Sequence, residues 1–419
     1  MQKNGRPGSA AKTALLLLLG INLFNYIDRQ ILAALEPDIR ATFFAPNDPN
    51  AMTNTGLYLG SAFFVTYMIS APVLGFLADR FSRWIIIGCA VILWSLASGG
   101  SGLAATFGIL FATRIFVGIG EGGYGPAAPT LISDFFSIQT RGRVMAIFYA
   151  AIPVGSALGY VIGGLVGAHM GWRWAFYLVT TPGLLLGLLC FLQRDPRVGG
   201  GHLMQEKPRR RLRDYAQLFR TRSYLINCVA QTLMTFVTGG LGFWAAAYLR
   251  YRNQSPDVGM TIFGLITVVA GLVSTLLGGV IADRLRSRFA GSYFWVSGIG
   301  MLIACPFFVA TLYTPFPAAW IPMFFAIFFL FVNTGPSNTA LANVSLPAVR
   351  ATAFAVNIFV IHALGDVQAF WLLGYIGGHT NMHVAFLFVS GIIFLSGAVW
   401  LMGVKYLPAD TAAVEKPAG

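Results

Sequence analysis

Apolar residues run along the chain in long blocks separated by short polar links. A membrane-spanning helix needs about 20 mostly apolar residues. Twelve stretches qualify: 13–42, 54–78, 85–106, 108–136, 143–168, 174–192, 222–250, 257–282, 291–312, 317–341, 351–377 and 382–406. They are called spans 1–12. One link is long. Residues 193–221 are polar, contain Pro196, Gly199–Gly201 and Pro208, and carry Arg209, Arg210, Arg211 and Arg213. The pattern predicts an all-α membrane protein of twelve transmembrane helices: a six-helix bundle over 1–192, a basic linker over 193–221 and a second six-helix bundle over 222–419.

Composition narrows the class. Hydrophobic residues make up 56% and charged residues 10%, and mean hydropathy is +0.70. A soluble chain carries about 25% charged residues, so soluble enzyme, secreted domain and disordered scaffold are excluded. The net charge of +13 would point to nucleic acid in a soluble protein. Here the positive charges fall in the links, and the positive-inside rule is the better reading. With the N-terminus inside, 22 of the 28 Lys and Arg lie in cytoplasmic segments. Arg40, Arg173, Arg250 and Arg252 lie outside, and Arg29 and Arg114 lie within spans. Both termini are therefore expected in the cytoplasm of a multi-pass plasma-membrane protein. The linker is suited to an anionic leaflet, although a solvated topogenic loop explains it as well. Lys3, Arg6 and Lys12 precede the run Ala14–Gly20 as in a signal peptide, but no small-residue cleavage site follows, so the run begins span 1. Cys89, Cys190, Cys228 and Cys305 sit in apolar stretches without a C-x-x-C pair. His379 and His383 lie in a short polar link with no third ligand type nearby. Neither set calls for a metal.

The halves repeat. Gly75-Phe-Leu-Ala-Asp79-Arg80 ends span 2, and Gly279-Val-Ile-Ala-Asp283-Arg284 ends span 8. Arg141-Gly-Arg143-Val-Met-Ala-Ile-Phe148 is echoed by Arg350-Ala-Thr-Ala-Phe-Ala-Val. Two halves built on one plan predict a pseudo-twofold axis along the membrane normal and a site between them near mid-membrane, as alternating access requires.

Charges inside spans are costly and read as functional by default. Span 1 holds Asn22, Asn25, Asp28, Arg29 and Glu36, which fall within an arc of about 120° at 100° per residue. Such a face must line a cavity or a partner helix, and a buried ion pair stapling helices is the plainer alternative. Span 4 holds Arg114 and Glu121 on one stripe with Gly118 and Gly125, and Tyr124 at its edge. Asp28 and Glu121 both lie about 22–24 Å up from the inner end at 1.5 Å per residue. Two acids and two bases can thus meet across spans 1 and 4. Burial disfavours a carboxylate's charge and a guanidinium favours it, so such a carboxylate can exchange its arginine for a proton or a head group. Asp28 and Glu121 are the proton-coupling candidates. Asn25, Arg29, Arg114 and Tyr124 are candidate substrate contacts.

The second half is less charged. Gln231, Thr235 and Thr238 share one face of span 7, span 10 offers Asn333, Thr334 and Ser337, and span 11 offers His362, Asp366 and Gln368. Thr235, Asn333 and Asp366 are taken as its candidate contacts, with interhelical hydrogen bonds the plainer reading for each. The phenylalanines of span 10 read as packing or lipid-facing residues.

The loop Gly75-x-x-x-Asp79-Arg80-x-x-Arg83 resembles the signature of the major facilitator superfamily, G-x-x-x-D-R-x-G-R, with Ser82 replacing a glycine. The resemblance covers all twelve spans. It implies a cytoplasmic gate of Gly75, Asp79, Arg80 and Arg83, docking on the segment near Arg350 and on Asp134, with Arg143 joining; the alternative is that these charges only fix topology. Two further segments are more specific. Asn25-Tyr-Ile-Asp28-Arg29 with Pro37-Asp38-Ile39, and Arg114-Ile-Phe-Val-Gly-Ile-Gly-Glu121-Gly-Gly-Tyr124-Gly-Pro-Ala-Ala-Pro129-Thr-Leu-Ile-Ser-Asp134, are similar to runs of the spinster family. Gly122 and Gly123 replace that family's Ala-Ser pair, which with the shorter length points to a bacterial member.

The resemblance implies a secondary transporter, proton-linked, for an amphipathic lipid-like substrate such as a lysolipid or sphingoid phosphate, working as a monomer without cofactor. The alternatives are a proton-coupled symporter of a small organic anion such as a sugar acid, whose branches share much of the span 1 pattern, and an uncoupled lipid conduit. No zinc-type H-E-x-x-H, nucleophile elbow, nucleotide loop or channel filter occurs, which argues against an enzyme or a channel. Expected partners are the substrate, protons and membrane lipid, and no nucleic acid.

Overall fold

The computed structural model describes residues 9–136, 138–196, 218–346 and 349–415. The described residues form helices without strands: α1 (Ser9–Phe43), α2 (Ala51–Thr55), α3 (Ala62–Arg80), α4 (Arg83–Gly102), α5 (Phe107–Phe135), α6 (Ile138–Met170), α7 (Trp172–Cys190), α8 (Arg222–Tyr251), α9 (Pro256–Arg286), α10 (Ser292–Tyr313), α11 (Trp320–Phe331), α12 (Thr334–Asn343), α13 (Arg350–Ile361), α14 (Val367–His379), α15 (Met382–Gly403) and α16 (Leu407–Glu415). Span 2 is α2 and α3 joined through a π-helical turn, Gly56–Ser61, and span 11 is α13 and α14 joined through another, His362–Asp366. Span 10 is α11 followed directly by α12. The short helix α16 lies outside the expected elements. Most of the linker, 197–217, lies outside the described residues.

Eleven of the described helical stretches are long and apolar enough to cross a membrane. Span 4, α5, falls short of that apolarity although it runs for 29 residues. The reason is its content: Arg114, Glu121 and a run of glycines replace aliphatic side chains. Such a helix is tolerable only where neighbours cover it, and Arg114 and Glu121 are 2% and 1% exposed.

Contacts gather the chain into two compact units: the described part of Met1–Leu203 together with Ala245–Leu265, and the described part of Met204–Trp244 together with Ile266–Gly419. In the first, α6 lays a four-residue glycine repeat on α1. A Cβ at Gly155 or Gly159 would lie 2.6 Å from the carbonyl oxygen of Leu23 or Ile27, and one at Gly163 would lie 2.6 Å from Ala34 Cβ. Small residues at this spacing let helix backbones touch, which is how helices associate without a hydrophobic drive between them. The stripe fixes α1, and with it the polar face of that helix. The stretch 245–265 joins this unit through Tyr160 against Phe263, 5.0 Å between ring centroids, and through Gly164, where a Cβ would stand 2.8 Å from the Pro256 carbonyl oxygen.

Candidate functional site

α1, α4 and α5 bring the charged residues of the first unit together. Arg29 donates to Glu121 from Nε at 2.6 Å and from Nη2 at 2.5 Å. The Glu121 side chain is fully buried and that of Arg29 is 18% exposed. Asn25, one turn before Asp28, is buried, and its Nδ2 has no hydrogen-bond partner among the described residues. Asp28 takes a different direction from its neighbour Arg29 because successive residues diverge by 100° on a helix. Its Oδ1 accepts a hydrogen bond from Ser98 of α4. Arg114 donates to Ser101, also on α4, and stands over the Phe176 ring at 5.5 Å. Asp28 Oδ2 and Arg114 Nε have no hydrogen-bond partner, and the two groups lie within each other's field. Two of the four groups, Arg29 and Glu121, form a direct ion pair, and serines of α4 hold the other two, Asp28 and Arg114.

The sequence reading missed those serines. Ser95, Ser98 and Ser101 recur every third residue along α4, all buried, and that spacing in an apolar helix was the available signal. It missed the rings as well: Tyr26, Phe63, Phe64 and Tyr67 surround the Arg29 guanidinium with centroids 5.0–5.7 Å away. Aromatic faces attract a cation held this close. Tyr124 is buried, and its hydroxyl donates to the Leu18 carbonyl at 2.8 Å, which pins α5 to α1. The glycine stripe of α5 makes room for helices. A Cβ at Gly118 would lie 2.5 Å from the Phe63 carbonyl oxygen of α3, and one at Gly120 would lie 2.8 Å from that of Ala90 on α4. Gly122 faces Ser70 and Gly123 faces Ala90 just as closely, a steric reason for glycines where the resembling family has Ala-Ser.

In the second unit Thr235 and Asp366 both lie along the seam of α8 with the π-helical turn. A Cβ at Gly365 would meet that of Thr235 at 3.1 Å, and one at Gly239 would meet the Asp366 carboxylate. Asp366 Oδ2 lies 2.5 Å from His362 Nδ1. Asn333 is engaged elsewhere, donating to Leu330 O at 2.6 Å beside Met301 Sδ. The larger polar cluster was only partly foreseen. Gln231 accepts from Asn357 at 2.6 Å and donates to Ser337 at 3.0 Å, while Asn227 accepts from Trp400 at 3.0 Å.

Of the residues expected at a gate, Arg83 is the most engaged. It contacts Asp134 at 2.6 Å, Asp195 at 2.8 Å and Thr130 at 3.2 Å. The Asp134 partnership was expected and Asp195 was not. Gly75 faces Pro126, where a Cβ would lie at 3.4 Å. Arg80 is exposed, over the Phe76 ring at 4.0 Å. The side chains of Asp79 and Arg143 lie outside the described residues. Arg350 donates to the Ser345 carbonyl at 3.4 Å. At the opposite end of α1, Asp38 receives a fork from Arg250 at 2.9–3.0 Å, and the buried Glu36 accepts from Arg40 and Thr55. The four cysteines are free thiols, and no group of three or more His, Cys, Asp or Glu that could hold a metal occurs among the described residues.

This helical architecture, with charges buried between spans 1 and 4 and Arg83 ion-paired after span 2, is that of a membrane transporter, and the chain belongs to the Major Facilitator Superfamily, whose sequence profile matches residues 18–367. Within the superfamily it falls in the spinster family. It is 33% identical to Protein spinster of Drosophila melanogaster over 88% of this chain. It is 35% identical to Protein spinster homolog 3 of Danio rerio over 88% of this chain and 77% of the relative. It is also 35% identical to the sphingosine-1-phosphate transporter of Mus musculus over 87% of this chain and 69% of the relative. The chain spans 62% of the length of the Drosophila protein. Among solved structures, a bacterial homolog to the human lysosomal transporter spinster, in an inward-facing and unoccupied conformation, superposes with a TM-score of 0.84 over 96% of this chain and 98% of its own, at 20% identity. A D-xylose–proton symporter gives 0.72 over 93% and 96%, also at 20%. At such identities these two likenesses concern the fold.

Proposed function

We propose that the protein is a proton-coupled secondary transporter that moves an amphipathic, lipid-like substrate with a charged head group by alternating access. The observation that carries this is the Arg29–Glu121 pair buried beside Asp28 and Arg114. A charge pair in hydrocarbon is a poor stabiliser, because desolvation offsets its attraction. Its retention at this depth is better explained by exchange. When Glu121 takes a proton, Arg29 is released and can meet an anionic head group; when the proton leaves, the pair re-forms and the head group is expelled. Asp28, held by a serine with one oxygen unmatched, is the second proton acceptor, and Arg114 keeps the cluster's charge balanced. Asn25, whose Nδ2 has no hydrogen-bond partner among the described residues, is a substrate contact. Tyr124 acts through helix packing, since its hydroxyl is committed to Leu18. Thr235 and Asp366 are assigned as further polar contacts for the substrate. The kinship with a sphingosine-1-phosphate transporter supports a lipid-like substrate. The latch of Arg83 and Asp134 serves as the cytoplasmic gate, and Gly75, Asp79, Arg80 and Arg143 are assigned to it from the sequence motif. A bacterial inner membrane, cytoplasmic termini and a monomer complete the reading.

The test is uptake into proteoliposomes under an imposed proton gradient. Asp28→Asn and Glu121→Gln are expected to abolish gradient-driven uptake of a lysolipid while the protein remains folded; uphill uptake at the normal rate by both variants overturns the coupling. The two guanidiniums also suit a carboxylate, so a hexuronate is offered in parallel. Hexuronate uptake without lysolipid uptake favours the organic-anion symporter. Lysolipid movement indifferent to the gradient favours a conduit.

A further inference from the structure

The Arg83 latch has an unequal pair of acids. Asp195, just beyond α7, accepts three hydrogen bonds from Arg83: from the backbone N at 2.9 Å, from Nε at 3.2 Å and from Nη2 at 2.8 Å. Its side chain is 1% exposed and that of Arg83 is 3% exposed. Asp134 of α5 makes a single contact with Nη2 at 2.6 Å, and its side chain is 39% exposed. Arg83 is the first residue of α4, and the preceding Ser82 gives no side-chain cap. Asp195 therefore also serves as the cap, its negative charge set against the positive end of the helix dipole. The seam beneath is tight. A Cβ at Gly88 of α4 would lie 3.1 Å from the Gly187 carbonyl oxygen and 3.2 Å from Cys190 Cβ, both on α7. α5, in contrast, contains Pro126 and Pro129 between Glu121 and the latch residues Thr130 and Asp134. Each proline removes a backbone hydrogen bond and favours a kink.

We propose that Asp195 is a positioning residue that keeps Arg83 on the α4–α7 seam, so that the latch is made and broken only on the α5 side, at Thr130 and Asp134, with the end of α5 hinging at its two prolines. Release from Asp134 hands a half-exposed carboxylate to water and costs little. Release from Asp195 would strand a buried carboxylate and an uncapped helix, which is far more costly. The proline pair also gives Glu121 a connection to the latch along one helix. Among the described residues, the repeated positions of the second unit do not form this device. By the repeat, Arg83 corresponds to Ser287, whose hydroxyl donates to Arg284 O at 2.9 Å, and Asp283 accepts from Tyr293 instead.

Native Cys190, fully buried on the seam, reports on it. In full-length protein in membranes, with Cys89, Cys228 and Cys305 replaced by serine, labelling of Cys190 by a membrane-permeant maleimide is compared with labelling of a cysteine introduced by Ser133→Cys on α5. Asp195→Asn keeps a cap acceptor and loses the charged fork; Arg83→Gln keeps the backbone bond and loses the fork from the other side. Each is expected to speed Cys190 labelling by about tenfold or more, as for opening of one seam. Their double variant is expected to add no more than about twofold, because the two sites share one interaction. Asp134→Asn is expected to speed only the Ser133→Cys site. Cys190 remaining protected in both fork variants, or becoming as reactive in Asp134→Asn, overturns the proposal. It deepens the transporter reading, but labelling needs neither substrate nor gradient, so its failure leaves that reading standing and failed uptake leaves the seam standing.

Discussion

Arg29 and Glu121 illustrate how a residue pair survives in an apolar bundle. The carboxylate is fully buried, the guanidinium is bonded twice to it, and four aromatic rings take up the rest of the cation's field. Removing one member of a buried pair strands the other and costs about 3–5 kcal/mol, which is why conservative amide replacements are the right probes of the acids. Ser98 offers a sharper one. Ser98→Ala leaves Asp28 Oδ1 without its donor, and an unsatisfied buried acceptor costs about 1–3 kcal/mol. Thermal unfolding in detergent is expected to show the loss, and an unchanged melting temperature would mean that water replaces the hydroxyl. The identity of the charged residues was legible because apolar surroundings make each stand out. Their pairing was not, because periodicity gives the direction a side chain takes from its own helix and not what waits there.

Helix packing in the first unit depends on where a methyl group has no room. At Gly159 of α6 a Cβ would press on the Ile27 carbonyl oxygen at 2.6 Å, backbone that cannot yield without moving α1. Gly159→Leu is therefore expected to abolish the folded, monodisperse protein in size-exclusion chromatography. Gly279 of α9 has nothing within 4 Å of such a Cβ. Gly279→Ala is expected to be neutral or to stabilise by up to about 1 kcal/mol, the helix-propensity difference, although Gly279 stands in the repeated motif. The contrast separates glycines kept for close approach from glycines that only resemble them in sequence. Element boundaries were legible to within a few residues for most spans. The π-helical turns in spans 2 and 11 and the α11–α12 division of span 10 were not, since they depend on how a backbone settles against its neighbours. α5 shows the opposite case: too polar to pass as a lipid-exposed span, it is tolerated because neighbouring helices cover its polar face.

Across the whole chain, contacts between distant residues fix what local pattern leaves open. Asp38 and Arg250 are 212 positions apart and form a two-pronged pair, joining the end of span 7 to the first unit. Their side chains are 32% and 37% exposed, so the pair is worth at most about 1 kcal/mol and is screened by salt. A double-mutant cycle with Asp38→Asn and Arg250→Gln, read by thermal unfolding, is expected to give a small coupling that fades as ionic strength rises; a coupling insensitive to salt would contradict it. The sequence by itself determined the class. Apolar blocks long enough to cross a bilayer, sparse charge and the Lys and Arg asymmetry among links follow from transfer free energies that act residue by residue. It also nominated the charged residues, since an ionised group in hydrocarbon is conspicuous wherever it occurs. The tertiary structure alone decided that Arg29 reaches Glu121, that serines hold Asp28 and Arg114, and that Arg83 rests on Asp195. Hydrogen bonds and ion pairs act over a few ångströms, and the neighbours that fall within that range come from helices remote in the chain.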